Sequence, residues 1–230
     1  MPDAPQTAFL FDLDGTLVDS VYQHVLAWHE ALCAEDIKLS IWRIHRKIGM
    51  SGGLFTNILL RETGLDITQD RLDRLRQVHR TAYSKLSDQV RPLPGARELL
   101  AYLSEAGIPW AIATSGRMET ARPNIERLGV VIEKSAVVTR DQVRYAKPDP
   151  DLFLEAARRI NVPIQNCCVV GDSIWDLLAA RRANALGIGL LSGGYGQDEL
   201  ERAGAYRVYE DPADMLKHID EVGGRRPANG

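Results

Sequence analysis

Short apolar runs recur along the chain, each ending in polar residues and each followed by a longer stretch with helical spacing. The runs cover residues 8–14, 109–115, 135–139, 166–172 and 187–192, with a weaker one at 206–209. Helical patterns follow at about 118–128, 151–160 and 174–183, and another opens at Pro94-Gly95 and stops at Gly107. Val-, Ile- and Leu-rich strands alternating with helices predict a parallel sheet covered on both faces.

The stretch from Val18 to about Arg91 breaks this rhythm. Val21, Val25, Trp28 and Leu32 repeat at helical spacing, as do Leu72, Leu75, Val78, Tyr83 and Leu86, and no strand is expected there. More than seventy residues is too long for an ordinary crossover. The expected fold is therefore α/β, a Rossmann-like doubly wound sheet at residues 1–17 and 93–230 with an all-helical cap inserted at residues 18–92. The hinges fall near Val18-Asp19 and Arg91-Pro92.

Composition adds exclusions. With 45% hydrophobic and 26% charged residues, a chain of 230 residues can bury a core without disulfides. A net charge of −3 gives no bulk attraction to nucleic acid. The densest basic stretch, Arg43, His45, Arg46 and Lys47, reads first as a solvated helix face. Cys167 and Cys168 sit in an apolar run and read as packing residues. No basic region with a following apolar run marks a signal peptide or a membrane span, so a soluble, cytoplasmic protein is expected.

The chemistry-bearing residues stand at the ends of the predicted strands. Alternation puts Asp12 and Asp14 on one side of the first strand, about 7 Å apart. Two adjacent carboxylates repel unless a cation neutralises them, and an oxygen-only pair suggests Mg²⁺. Thr114, Ser115 and Gly116 end the second core strand, where a hydroxyl and turn amides can hold phosphate oxygens. Lys147 precedes a rigid Pro-Asp-Pro turn. Asp172 and Asp176 follow the Cys-Cys-Val-Val run, facing the crevice where open α/β sheets bind ligands.

Residues 9–20, Phe-Leu-Phe-Asp-Leu-Asp-Gly-Thr-Leu-Val-Asp-Ser, resemble the first motif of the haloacid dehalogenase superfamily, and the other three motifs follow in order. The closest look is to its phosphoglycolate phosphatase-like and β-phosphoglucomutase-like branch. That resemblance implies Asp12 as nucleophile and Asp14 as acid and base, with Lys147 offsetting charge. It also implies Mg²⁺ held by Asp12, the Asp14 backbone carbonyl and Asp172, phosphate held by Thr114 with Ser115 and Gly116, and a cap acting as lid. To act as an acid, Asp14 needs surroundings that raise its pKa. Asp176 is expected to orient either a metal-bound water or Lys147, or simply to serve as a helix N-terminal acid. His24 and the loop Gly49 to Gly53 are candidate substrate contacts in the cap. Arg43, Arg46 and Lys47 could meet a second anionic group, and Trp28, Trp42 and Trp175 are expected to pack.

The implied function is Mg²⁺-dependent hydrolysis of a small phosphorylated metabolite through an aspartyl-phosphate. A mutase of the β-phosphoglucomutase type and a catalytically silent binding protein are the alternatives. Asp14 counts against dehalogenation, and the long insert counts against a signalling receiver domain. Ser51-Gly52-Gly53 stands where the related phosphonoacetaldehyde hydrolases carry a lysine and the mutases an arginine. No nucleic acid or membrane partner is expected, and monomer and homodimer remain equally open.

Overall fold

The computed structural model describes residues 7–50, 52–65 and 68–225. Six parallel strands form one sheet: β1 (Ala8–Phe11), β4 (Trp110–Ala113), β5 (Val137–Val138), β6 (Cys167–Gly171), β7 (Leu186–Leu190) and β8 (Ala205–Tyr209), in the order β5-β4-β1-β6-β7-β8. This is the expected α/β architecture. β1 lies between β4 and β6, so the strand order reverses beside it, and in open sheets ligands bind at the carboxyl ends of strands at such a point.

Side-chain alternation explains how the sheet is covered. Phe9 and Phe11 project to one face, into a cluster with Leu99 and Leu103 of α5 (Ala96–Glu105), Ile125 of α6 (Met118–Arg127) and Met215 of α10 (Pro212–Lys217). Ala8 and Leu10 project to the other, against Leu152, Phe153 and Ala156 of α7 (Asp151–Arg159) and Ala179 of α8 (Ile174–Ala183). Every residue of β1 is buried, which accounts for its unbroken apolar run.

Between β1 and α5 the chain builds α1 (Val21–Ala34), α2 (Ile41–His45), α3 (Gly52–Thr63) and α4 (Gln69–Leu86). Val21, Val25 and Leu32 of α1, Ile44 of α2, Phe55 of α3 and Leu75 of α4 share a hydrophobic cluster of their own. Thr68 opens α4 by accepting the Arg71 backbone N–H at 3.4 Å.

The expectation of no strand in this stretch needs correction. β2 (Val18–Asp19) and β3 (Arg91–Pro92) pair antiparallel where the chain leaves and re-enters the sheet region. Two residues carry no periodicity, and only the meeting of segments far apart in sequence creates the ladder. Helix α9 (Gln197–Ala203) and α10 also lie outside the predicted helices. Among the described residues no helix is long and apolar enough to cross a membrane.

Candidate active site

Asp12 leaves the end of β1, its backbone N–H donating to the Val170 carbonyl of β6 at 2.9 Å, so the two strand ends are locked side by side. Asp172 follows β6 directly. Asp176 lies in the first turn of α8, where its Oδ2 accepts from Ser173 N at 3.1 Å and Ser173 Oγ at 2.5 Å. One carboxylate oxygen from each of Asp12, Asp172 and Asp176 falls within 4.8 Å of the others.

Lys147 reaches this cluster from the turn before α7. Its side chain is fully buried, its Nζ donates to Asp12 Oδ1, and Asp176 Oδ1 lies 2.7 Å away. The ammonium also sits 5.2 Å from the ring centroid of Phe153. Of the roles open to Asp176, the geometry displays two: contact with Lys147 and capping of the α8 N-terminus.

Three buried carboxylates share this one ammonium. Burial pushes Asp12 up to about 7; Lys147 opposes the rise, while Asp176 and Asp14 add to it. Burial, then Asp176 and Asp12, hold Asp172 well above the usual carboxylate range, although Thr16 Oγ1 donates to it at 2.9 Å. Burial alone would lower Lys147, but Asp12 and Asp176 outweigh it and hold the ammonium charged. A cation would relieve the uncompensated negative charge. The all-oxygen donor set suits a hard ion such as Mg²⁺.

The backbone leaves room for that carboxylate and nothing more. A Cβ on Gly193 would lie 1.7 Å from Asp172 Oδ2, and one on Gly15 would lie 2.5 Å from it. Gly15 also holds φ at +85°, a conformation side chains other than glycine's rarely adopt.

Thr114, Ser115 and Gly116 come to the same crevice from the end of β4. Thr114 Oγ1 accepts from Gly116 N at 2.9 Å, which fixes the turn. Ser115 Oγ is buried, has no hydrogen-bond partner among the described residues, and lines the cavity. Asp14 and His24 line that cavity as well, which has a volume of about 770 Å³.

Asp14 does not meet the expectation of a raised pKa. Burial does push it up, but His24, 3.5 Å away, and Ser20 Oγ, donating at 2.6 Å, outweigh burial and hold its carboxyl below the ordinary value. Beyond His24 runs a stack of rings. His24 faces Tyr83 at 4.0 Å and His79 at 5.5 Å, and His79 faces Trp28 at 4.2 Å. Tyr83 accepts from Asn124 Nδ2 of α6 at 2.9 Å, joining the stack to the sheet side.

The basic stretch in and after α2 is a solvated face only in part, at the exposed Arg43. Lys47 is buried and donates to Glu62 at 2.9 Å, and Arg43 lies 3.9 Å from Glu62. Arg46 pairs with Glu199 of α9, and its guanidinium lies 3.9 Å over the Tyr195 ring. Arg43, Arg46 and Lys47 are thus each committed to an acid before any substrate arrives. Gly49 and Met50 line the cavity, Ser51 lies outside the described residues, and Gly52 already begins α3, so Gly49 to Gly53 is not one loop. Trp28 and Trp175 pack as expected, whereas Trp42 is 62% exposed with Arg43 over its ring.

Ser20 and Asn124 contact Asp14, and Tyr83 and His79 stack on its neighbour His24, without having stood out in the sequence. Ser20 alone carried a signal, since it ends the motif-like string that begins at Phe9. The others are ordinary helix residues made functional neighbours by packing.

The family described as haloacid dehalogenase-like hydrolase matches residues 6–184. Hexitol phosphatase A of Escherichia coli is 35% identical over 180 residues, 76% of this chain and 78% of that protein. Phosphoglycolate phosphatase of Agrobacterium fabrum is 31% identical over 188 residues, 80% of each chain. The crystal structure of a hydrolase from Pseudomonas syringae superposes with a TM-score of 0.92 at 60% identity, covering 94% of this chain and 99% of the other. With its acids and lysine gathered at the ends of β1 and β6, this chain belongs to the haloacid dehalogenase-like hydrolases.

Proposed function

We propose that the protein is a Mg²⁺-dependent phosphatase acting on a small phosphorylated metabolite, with Asp12 as nucleophile. The observation that carries this reading is Lys147 donating to Asp12 inside a buried cluster with Asp172 and Asp176. The phosphatase names of its relatives support it.

A phosphate monoester dianion repels an attacking carboxylate, so charge must be cancelled first. Asp12, Asp172 and the Asp14 backbone carbonyl would hold Mg²⁺, which when bound supplies most of that cancellation. Lys147 supplies more, held between Asp12 and Asp176. The Thr114 hydroxyl, Ser115 Oγ and the Ser115 amide receive the phosphate oxygens. Asp12 attacks phosphorus and the leaving oxygen departs, giving an aspartyl-phosphate on Asp12. Asp14 then takes the proton of the water that opens this intermediate, a task suited to a carboxylate that Ser20 and His24 hold ionised. Asp14 takes up the proton needed by the leaving oxygen from solvent while the site is open, and His24, 3.5 Å away in the closed site, favours its release. Residues 18–92 act as the lid, bringing His24 to Asp14 and excluding water.

Phosphate release from p-nitrophenyl phosphate and a panel of small phosphate esters, with Mg²⁺ and with EDTA, tests the reading. Turnover with Mg²⁺ that stops in EDTA is expected. No release from any ester by folded protein would overturn it.

A further inference from the structure

Among the described residues, five Lys and Arg side chains line the cavity: Lys47, Arg76, Arg80, Arg117 and Arg140. Four of them already face an acid. Lys47 meets Glu62 at 2.9 Å, Arg76 meets Asp73 at 3.0 Å, Arg80 meets Glu119 at 3.4 Å and Arg117 meets Asp141 at 3.2 Å. Arg140 differs. Its guanidinium makes one bond, from NH1 to the Val143 carbonyl at 2.8 Å, and among the described residues no carboxylate pairs with it.

A carbonyl accepts a hydrogen bond but does not neutralise a charge. Guanidinium carries five N–H donors in a planar fork, so most of the fork stays available to a ligand. Arg140 is half-buried, which strengthens any charge pairing it makes relative to open solvent. Its placement relative to the phosphate turn is fixed by the backbone. Arg140 follows the end of β5, and its N–H donates to the Gly116 carbonyl at 2.9 Å. Gly116, Arg140 and Val143 line one continuous cavity.

We infer that Arg140 is a specificity-determining residue that binds a carboxylate carried on the same short carbon chain as the phosphate. The inference rests on the phosphatase reading and narrows it. The substrate class is a phosphorylated hydroxy acid, whose phosphate sits on the Thr114–Gly116 turn and whose carboxylate takes the Arg140 fork. Two parallel N–H···O bonds to a carboxylate provide both the charge match and the orientation. A polyol phosphate offers neutral hydroxyls instead and leaves the guanidinium without a counter-charge.

Two matched pairs of esters test this: 2-phosphoglycolate against 2-hydroxyethyl phosphate, and 3-phosphoglycerate against glycerol 3-phosphate. In each pair the members differ chiefly in whether the far end is a carboxylate. The expected wild-type result is a kcat/KM about tenfold or more in favour of the carboxylate member, the size of one hydrogen-bonded charge contact. Arg140→Met brings the ratio near one, chiefly through the KM of the carboxylate member, and Arg140→Lys keeps part of the preference. Equal wild-type kcat/KM within both pairs, or a ratio unchanged in Arg140→Met, overturns the inference while leaving phosphatase activity intact. If no ester is hydrolysed, the phosphatase reading fails on its own. Calorimetric binding of 2-phosphoglycolate then decides for Arg140, by weakening about tenfold in Arg140→Met or by remaining unchanged.

Discussion

The His45 ring nitrogen Nε2 lies 2.8 Å from the carbonyl oxygen of Gly193, bridging the end of α2 and the loop that follows β7. Its neighbours reinforce the seam. Trp175 Nε1 and Tyr195 Oη donate to the Arg46 carbonyl at 3.2 and 3.0 Å, while the Arg46 side chain pairs with Glu199. Gly193 in turn abuts Asp172, so this one loop touches both the helical insert and a proposed metal ligand.

Arg46→Ala removes the ion pair and the contact over Tyr195 together. The pair is partly exposed, so its loss costs no more than about 1 kcal/mol of stability. The expected functional loss is larger, a several-fold fall in kcat/KM, because the insert no longer settles against the loop. Thermal melting and steady-state kinetics on the same preparation check this. A fall in activity that merely follows the fall in melting temperature would refute the seam's role.

Asp176→Asn tests the positioning of Lys147. One ammonium serves three buried carboxylates, so removing one charge also removes repulsion with Asp12 and Asp172, and stability should change little. Activity should fall about 10–100-fold, the usual cost of losing a partner that orients a reacting group. Equal kcat in the variant would leave Asp176 as a helix-capping acid only.

Gly193→Ala places a methyl group 1.7 Å from Asp172 Oδ2, a distance no packing allows. Either Asp172 or the loop must move. Mg²⁺ affinity measured by titration calorimetry should drop in this variant, and Gly196→Ala, where φ is −76° and a Cβ meets only Glu199 Oε2 at 3.6 Å, serves as the comparison. Unchanged affinity in Asp172→Asn, measured beside it, would exclude Asp172 from the metal site.

Burial, with His24 and Arg80 adding to it, pushes the His79 imidazole down to about 3. The folded protein therefore keeps His79 neutral where the unfolded chain, titrating near 6.5, takes up a proton. Its full contribution is present above 6.5 and is lost progressively as pH falls toward 3, by at most about 1.4 kcal/mol per pH unit. Chemical denaturation at pH 7 and pH 5 should show wild type losing more stability than His79→Phe. Equal losses would mean that His79 protonates freely in the folded state.

The strand ends were legible because physics marks them twice. A buried parallel strand needs an unbroken apolar run, and its crevice end needs the polar groups that do chemistry, so Phe11 next to Asp12 and Gly171 next to Asp172 announce themselves. The two-residue ribbon of β2 and β3 had no such mark. The partners of Arg46 and Asp14 were equally hidden. Glu199 lies 153 residues from Arg46 and Asn124 lies 110 from Asp14, and no spacing rule links such pairs. The lowered pKa of Asp14 was hidden for the same reason, since it depends on Ser20 and His24 as placed by the fold. Arg140 reads in sequence as one more charge in a loop, and becomes distinctive only once its four cationic neighbours are seen to be paired.

The central claim, that Asp12 is the nucleophile, is tested most directly by Mg²⁺-dependent phosphate release from p-nitrophenyl phosphate in Asp12→Asn beside wild type. The account predicts turnover in wild type and none measurable in the folded variant, because an amide cannot form the acyl-phosphate bond. Turnover by Asp12→Asn at a rate near that of wild type would contradict it.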